Sequence, residues 1–210
     1  MKKIANYING ELRAPASNQY IDNYNPATGS VYSLIPNSGE EDVQFAIKSA
    51  REAFDSWSSL SNAKRASWLD KIANAIESRM DELALAESID NGKPLSLATS
   101  VDIPRARDNF KFYATAIMHY ASESHRTGDG IINYTLRKPV GVAACISPWN
   151  LPLYLFSWKI APALAAGNTV VAKPSEITPM TAYLLSEICV EIGLPAGVLN
   201  IVHGLGATTG

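Results

Sequence analysis

The first 37 residues alternate apolar and polar positions in short runs broken by turn residues, which predicts β-structure. Asn9-Gly10, with Tyr7-Ile8 before it and Glu11-Leu12 after it, has the chemistry of a tight hairpin turn. Asn25-Pro26-Ala27-Thr28-Gly29 predicts a second turn, leading into Val31-Tyr32. The period then lengthens. Ser38 and Glu41 have capping-box spacing, and Val43, Ala46, Ile47, Ala50, Phe54 and Trp57 follow on one helical face. Ser61 caps a predicted second helix with Trp68, Leu69, Ile72 and Ile76 inward. A third helix is predicted from about Asp81 to Gly92, whose glycine suits a helix stop. A fourth begins near Asp102-Ile103-Pro104 and carries Phe110, Tyr113, Ala114, Ile117 and Tyr120 inward. The plain reading of these stripes is core packing.

Arg126 to Gly130 breaks the helical pattern, and Ile132, Tyr134 and Leu136 then alternate with Asn133, Thr135 and Arg137 as in a half-exposed strand. From Pro139 the texture becomes more apolar. Val140 to Ile146 reads as a strand, Leu153 to Ala166 as a helix, and Thr169 to Ala172 as a second buried strand. Thr178-Pro179 opens another helix that Gly193 ends, and Val198 to Val202 is a third strand running into a glycine turn. Strand, helix, strand, helix, strand, glycine turn is the order of a parallel α/β sheet.

Composition changes this picture little. Of the 210 residues, 47% are apolar and 18% charged, and the net charge is -2, so a sizeable core is expected and a nucleic-acid partner is not. No window has the apolar length of a membrane span, and two cysteines are too few for a disulfide framework.

Ligands of open parallel sheets bind at the carboxyl ends of the strands. Three segments fall there: Ser147-Pro148-Trp149-Asn150, Lys173-Pro174-Ser175-Glu176, and the turn from Gly204. The spacing Gly204, Gly206, Gly210 is not the usual dinucleotide fingerprint. Asn150, between two prolines in ISPWNLPLY, either caps the helix that follows or donates to something outside the protein. Lys173 and Glu176 either form a solvated pair or present an ammonium and a carboxylate to the hydroxyls of a ribose.

PVGVAACISPWNLPLYLFSWKIAPALAAGNTVVAKPSEITP, followed by GLPAGVLNIVHGLG, resembles the aldehyde dehydrogenase superfamily. NGKPLSLA and DIPRARDNFKFYA look most like its 2-aminomuconic and 2-hydroxymuconic semialdehyde dehydrogenases. The resemblance implies a Rossmann-like parallel sheet with N-terminal helices and a β-arm for oligomerisation. It divides the chain into helices of an NAD-binding domain over 1–123, a crossover arm over 124–138, and the NAD-binding α/β segment over 139–210. It implies oxidation of an aldehyde, with a carboxylate-bearing semialdehyde as substrate, by NAD in preference to NADP. Asn150 matches the asparagine whose amide donates to the aldehyde oxygen as charge develops there. Ile146 and Trp149 would line the cofactor cleft. Lys173, Ser175 and Glu176 fall on the segment that holds the adenosine ribose, and Gly206 on a glycine at the cofactor's adenine side. Lys159 matches a lysine near the proton relay, though a snorkelling helix lysine reads equally well. Arg105 would hold the substrate carboxylate through its bidentate fork, against the plainer reading of a surface ion pair with Asp102 or Asp108.

Cys145 and Cys189 fall inside apolar elements and read as structural thiols, and His119, His125 and His203 lack metal-ligand spacing, so no metal is expected. The family's cysteine nucleophile, its general-base glutamate and its GSTxxG motif match nothing in these residues. The chain therefore reads as the front part of an aldehyde dehydrogenase, and the alternative is a catalytically inactive fragment that at most binds nucleotide or assembles. A cytoplasmic homo-oligomer, dimeric or tetrameric in the parent enzyme, is expected, with no membrane partner.

Overall fold

The two-residue Asn9-Gly10 turn works as its chemistry requires. Asn9 (φ 56°) and Gly10 (φ 82°) are both left-handed, the condition for a turn whose twist matches the flanking strands. It joins β2 (Asn6–Ile8) to β3 (Glu11–Arg13) in the computed structural model, which describes residues 1–210. Around it lie β1 (Lys2–Lys3), β4 (Tyr20–Asn25) and β5 (Ser30–Pro36), which form a three-stranded sheet in the order β1-β5-β4. The helices follow: α1 (Glu40–Ser58), α2 (Asn62–Ser78), α3 (Met80–Asn91), a short α4 (Leu95–Leu97), and α5 (Ile103–Met118), with a π turn over Ala98–Asp102 before α5. A two-stranded hairpin, β6 (Ser124–Arg126) with β7 (Ile132–Tyr134), precedes β8 (Val142–Ile146), α6 (Pro152–Ala165), β9 (Thr169–Lys173), α7 (Met180–Glu191), β10 (Leu199–Ile201) and the single turn α8 (Gly206–Thr209).

The main sheet has the order β3-β2-β10-β9-β8. Its last three strands run parallel, as expected, and their ends lie in step: Ile146 faces Lys173 across β8 and β9, and Ala172 faces Ile201 across β9 and β10. The N-terminal hairpin completes the sheet, with β2 antiparallel to β10. Val170 and Ala172 enter the main core with α6 and α7, whereas Val171 joins Ile8, Ala46 and Val202 on the side of α1. Alternation along one strand thus builds both layers. No helix is long and apolar enough to cross a membrane.

Four local expectations are corrected. The N-cap of α1 lies one residue later, at Gly39, which has no side chain to complete a capping box; half of one remains, the Gly39 amide donating to Asp42 Oδ2 at 3.2 Å. Ser38 is occupied elsewhere, accepting from Asn6 Nδ2 at 2.8 Å through its hydroxyl and from Thr209 Oγ1 at 2.8 Å through its carbonyl. Thr178 does not cap α7. Its hydroxyl donates to the Trp149 carbonyl, and Asp90 Oδ2 takes the Met180 amide at 2.7 Å instead. Tyr120 lies beyond the end of α5 and is exposed. Of β8 only Cys145 is buried, because the strand lies at the sheet edge.

Candidate functional site

Three adjacent parallel strands end side by side, which brings the three suspected segments together. Lys173, the last residue of β9, is only 7% exposed, and its ammonium donates to Glu176 Oε2 at 3.0 Å and to the Pro174 carbonyl at 3.1 Å. The other Glu176 oxygen, Oε1, accepts from the Gly206 amide at 3.3 Å, tying the glycine turn after β10 to the turn after β9. Burial would raise the Glu176 carboxyl, but hydrogen bonds from its own backbone, from Lys173 and from Gly206 together hold it below the usual range. Ser175 turns back on its own loop and accepts from the Ile177 amide. The pair is therefore preformed, not a loose surface contact.

The turn after β8 is held as firmly by its backbone. The Trp149 carbonyl accepts from Asn91 Nδ2 at 3.0 Å and from Thr178 Oγ1 at 3.1 Å. The Asn150 carbonyl accepts from the Lys93 ammonium at 3.4 Å. Asn150 itself is exposed, and α6 begins at Leu151 without a side-chain cap, so the helix-capping reading of the Asn150 amide fails. Its amide is left to face outward.

Two clefts flank these strand ends. One, of about 460 Å³, lies between Tyr24, Asn91, Trp149, Glu176 and Leu205. The other, of about 310 Å³, runs between α1 and the β8–β9 face past Ile146, Lys173 and Thr209. The candidate residues are thus shared out: Trp149 and Glu176 line the first, Ile146 and Lys173 the second. A larger cavity, about 630 Å³ near Arg65, Tyr113 and Arg137, holds none of them.

The remaining candidates stand apart. Arg105 is exposed on α5 and makes no ion pair, because Lys93 takes Asp102 at 2.7 Å and Arg107 takes Asp108 at 2.8 Å. Arg105 is thus paired with neither Asp102 nor Asp108 in this structure. Lys159 is exposed on α6. Both cysteines are buried and free, and burial pushes their thiols up, Cys189 to about 12. His203 is fully enclosed, and burial pushes it down to about 3. No cluster of metal-ligating side chains is present.

Sequence patterning missed the acids beneath this site. Glu87 and Asp90 are 0% and 2% exposed on α3, continuing the inward row Leu83, Ala84. Two acids on an apolar helical stripe were the available signal. Burial raises Glu87 to about 7 from the ordinary 4.5 and Asp90 to about 6 from 3.8. The folded state therefore binds more protons than the unfolded one across this range, so stability falls as pH rises from about 4.5 to 7. In urea unfolding series across that window, Glu87→Gln should remove the larger part of this slope, on the order of 2–3 kcal/mol. An unchanged slope in the variant would place the titrating group elsewhere.

The comparisons bear on family and fold. Residues 13–210 match the model of the aldehyde dehydrogenase family. This chain belongs to the aldehyde dehydrogenase family. It is 51% identical over 208 residues to the 2-aminomuconic semialdehyde dehydrogenase of Homo sapiens, covering 99% of this chain and 42% of that protein. It is 46% identical over 211 residues to the 2-hydroxymuconic semialdehyde dehydrogenase of Pseudomonas sp. (strain CF600), covering 98% of this chain and 43% of that protein. Among solved structures, HpcC from Thermus thermophilus superposes with a TM-score of 0.96 at 40% identity, covering 99% of this chain and 40% of that one. An NAD+ complex of aldehyde dehydrogenase from Bacillus cereus gives 0.96 at 38% identity, covering 99% and 43%. The chain thus spans less than half the length of the relatives it matches.

Proposed function

We propose that these residues form the cofactor-binding and oxyanion-stabilising part of an NAD-linked dehydrogenase that oxidises a carboxylate-bearing semialdehyde to its acid. The carrying observation is the convergence of the Asn150 turn, the Lys173–Glu176 pair and Gly206 at the ends of three adjacent parallel strands.

The residues suit an adenosine ribose. A half-buried carboxylate and a buried ammonium, 3.0 Å apart, offer an acceptor and a donor to neighbouring hydroxyls. A 2′-phosphate would face the Glu176 carboxylate and be repelled, which favours NAD over NADP. When bound, NAD would supply the hydride acceptor. Ile146 and Trp149, each more than half exposed, offer apolar walls beside it. The outward Asn150 amide donates to the aldehyde oxygen, and Arg105, free of other partners, takes the substrate carboxylate. Lys159 is assigned to a proton relay beside the reacting aldehyde. Cys145 and Cys189 are core thiols, so the 210 residues by themselves turn over no aldehyde.

The domain division at 1–123, 124–138 and 139–210 belongs to this reading. The β6–β7 hairpin and the residues after it leave Ile132, Tyr134 and Leu136 at least two-thirds exposed, as an arm that pairs with further copies would. Homo-oligomers follow, and sedimentation of a stable monomer would count against them. Free buried thiols fit a cytoplasmic setting.

The deciding assay follows NADH formation by the intact enzyme carrying these residues, with semialdehydes that bear a carboxylate and with matched uncharged aldehydes. Oxidation is expected with a preference for the former. Arg105→Ala should raise KM for them at least about tenfold, the loss of one charged bidentate contact. Absence of NAD-dependent oxidation overturns the reading, and an unchanged KM removes Arg105 from it.

A further inference from the structure

The Asn150 amide can stabilise an oxyanion only if its peptide is held still, and nothing on the Asn150 side chain holds it. The hold comes from below. Lys93, just after the left-handed Gly92 that ends α3, is buried with its ammonium between two buried carboxylates. Glu87 Oε1 lies at 3.2 Å and Asp102 Oδ2 at 2.7 Å, with Glu87 and Asp102 0% and 1% exposed. An ammonium has three N–H donors. The third is directed at the Asn150 carbonyl, 3.4 Å away. The second oxygen of Glu87 reaches on to the Leu153 amide at 3.5 Å, in the first turn of α6. One ion cluster therefore touches the chain on both sides of Leu151, the uncapped residue at which α6 begins.

Stability alone does not account for an ammonium enclosed with two carboxyl groups. Burying ions costs several kcal/mol each, and apolar replacements of buried ion clusters are often neutral or stabilising. What such a cluster adds is direction: the Lys93 ammonium and both Glu87 oxygens each have defined partners. Asp102 reaches this position at the end of the π turn, a kind of irregularity often found at functional sites.

We propose that Lys93, Glu87 and Asp102 are positioning residues that fix the Asn150–Leu153 backbone and thereby aim the Asn150 amide. The proposal rests on the reading of Asn150 as the oxyanion donor, and it adds residues that touch neither substrate nor cofactor.

The test uses the intact enzyme with an apolar replacement of the cluster, Glu87→Leu/Lys93→Met/Asp102→Leu, which avoids leaving a lone buried charge. Glu87→Gln serves as a milder second variant that keeps an acceptor toward Leu153. Three readings are taken: thermal melting, hydrogen exchange over residues 147–156, and steady-state kinetics. The expected result is a folded protein with unchanged or raised melting temperature and roughly tenfold faster exchange in that segment, as local hold is lost. With it, kcat falls by about 10²-fold, the effect of a misplaced catalytic group, and KM for NAD stays within about twofold. Glu87→Gln should move exchange and kcat the same way by a smaller factor. Parent-like exchange in both variants overturns the proposal, whatever happens to kcat. Faster exchange with parent-like kcat also overturns it. In that case Asn150→Ala tells the two failures apart: if it too keeps parent-like kcat, the oxyanion reading has failed, and if it does not, only the positioning has.

Discussion

Replacing Asn150 with alanine in the intact enzyme lowers kcat by about 10²–10³-fold, the usual effect of removing one oxyanion donor, or about 2.7–4 kcal/mol. The fold is untouched. Asn150 is exposed, its side chain makes no hydrogen bond within the chain, and the turn is held by the carbonyls of Trp149 and Asn150, which alanine retains. Unfolding midpoints should therefore shift by less than about 0.5 kcal/mol. Asn150→Asp is the sharper comparison, because it conserves shape but replaces a donor with a negative charge facing the developing oxyanion. Its kcat should fall below that of the alanine variant. Binding of the aldehyde before charge develops depends little on this donor, so KM should move far less than kcat. A kcat for Asn150→Ala within about threefold of the parent would remove the oxyanion role, since even weak neutral hydrogen bonds contribute that much.

The site was legible where its signal is local. Three apolar runs, each ending in a polar turn, predict adjacent parallel strands, and the adjacency of β8, β9 and β10 then brings Asn150, Glu176 and Gly206 into one region. Asn9-Gly10 and Gly92 announce backbone conformations that few other residues adopt, and both lie in the left-handed region. What stayed hidden depends on partners distant in the chain. The pairing of Tyr7 with Ile201 spans almost the whole sequence, and a three-residue strand carries no mark of its neighbour. Ser38–Glu41 and Gly39–Asp42 share the same spacing, and Ser38 lost the capping role because Asn6 and Thr209 compete for it. Glu87, Asp90 and Lys93 escape a reading by pattern because charge implies exposure on average. Their burial is set by mutual pairing and by Tyr32, Asn23 and Met180, residues that only the fold gathers. The candidate amide was thus visible, and the buried cluster beneath it was not.

Trp57→Ala should destabilise the chain by about 3–5 kcal/mol, the range for deleting a buried aromatic side chain. Against a typical total of about 5–15 kcal/mol, that is enough to leave part of the protein unfolded at physiological temperature. Trp57 is 1% exposed in the main core, at the C-terminal end of α1. Its indole N–H donates to the Leu164 carbonyl at 3.2 Å, in the last turn of α6. That turn contains Pro162, and its carbonyls draw on distant donors: Arg65 Nε reaches the Ala165 carbonyl at 2.9 Å. Trp57 therefore couples α1, which covers one face of the sheet, to the far end of the helix that begins beside Asn150. The Leu164 carbonyl also accepts from the Gly167 amide at 3.0 Å, so Trp57→Phe does not orphan it. The cost of Trp57→Phe should accordingly be less than half that of alanine, because most of the loss is packing volume rather than the hydrogen bond. Urea unfolding of both variants measures the two terms. Equal losses in the two variants would assign the energy to the indole N–H instead, and make the α6 terminus, not the core volume, what Trp57 secures.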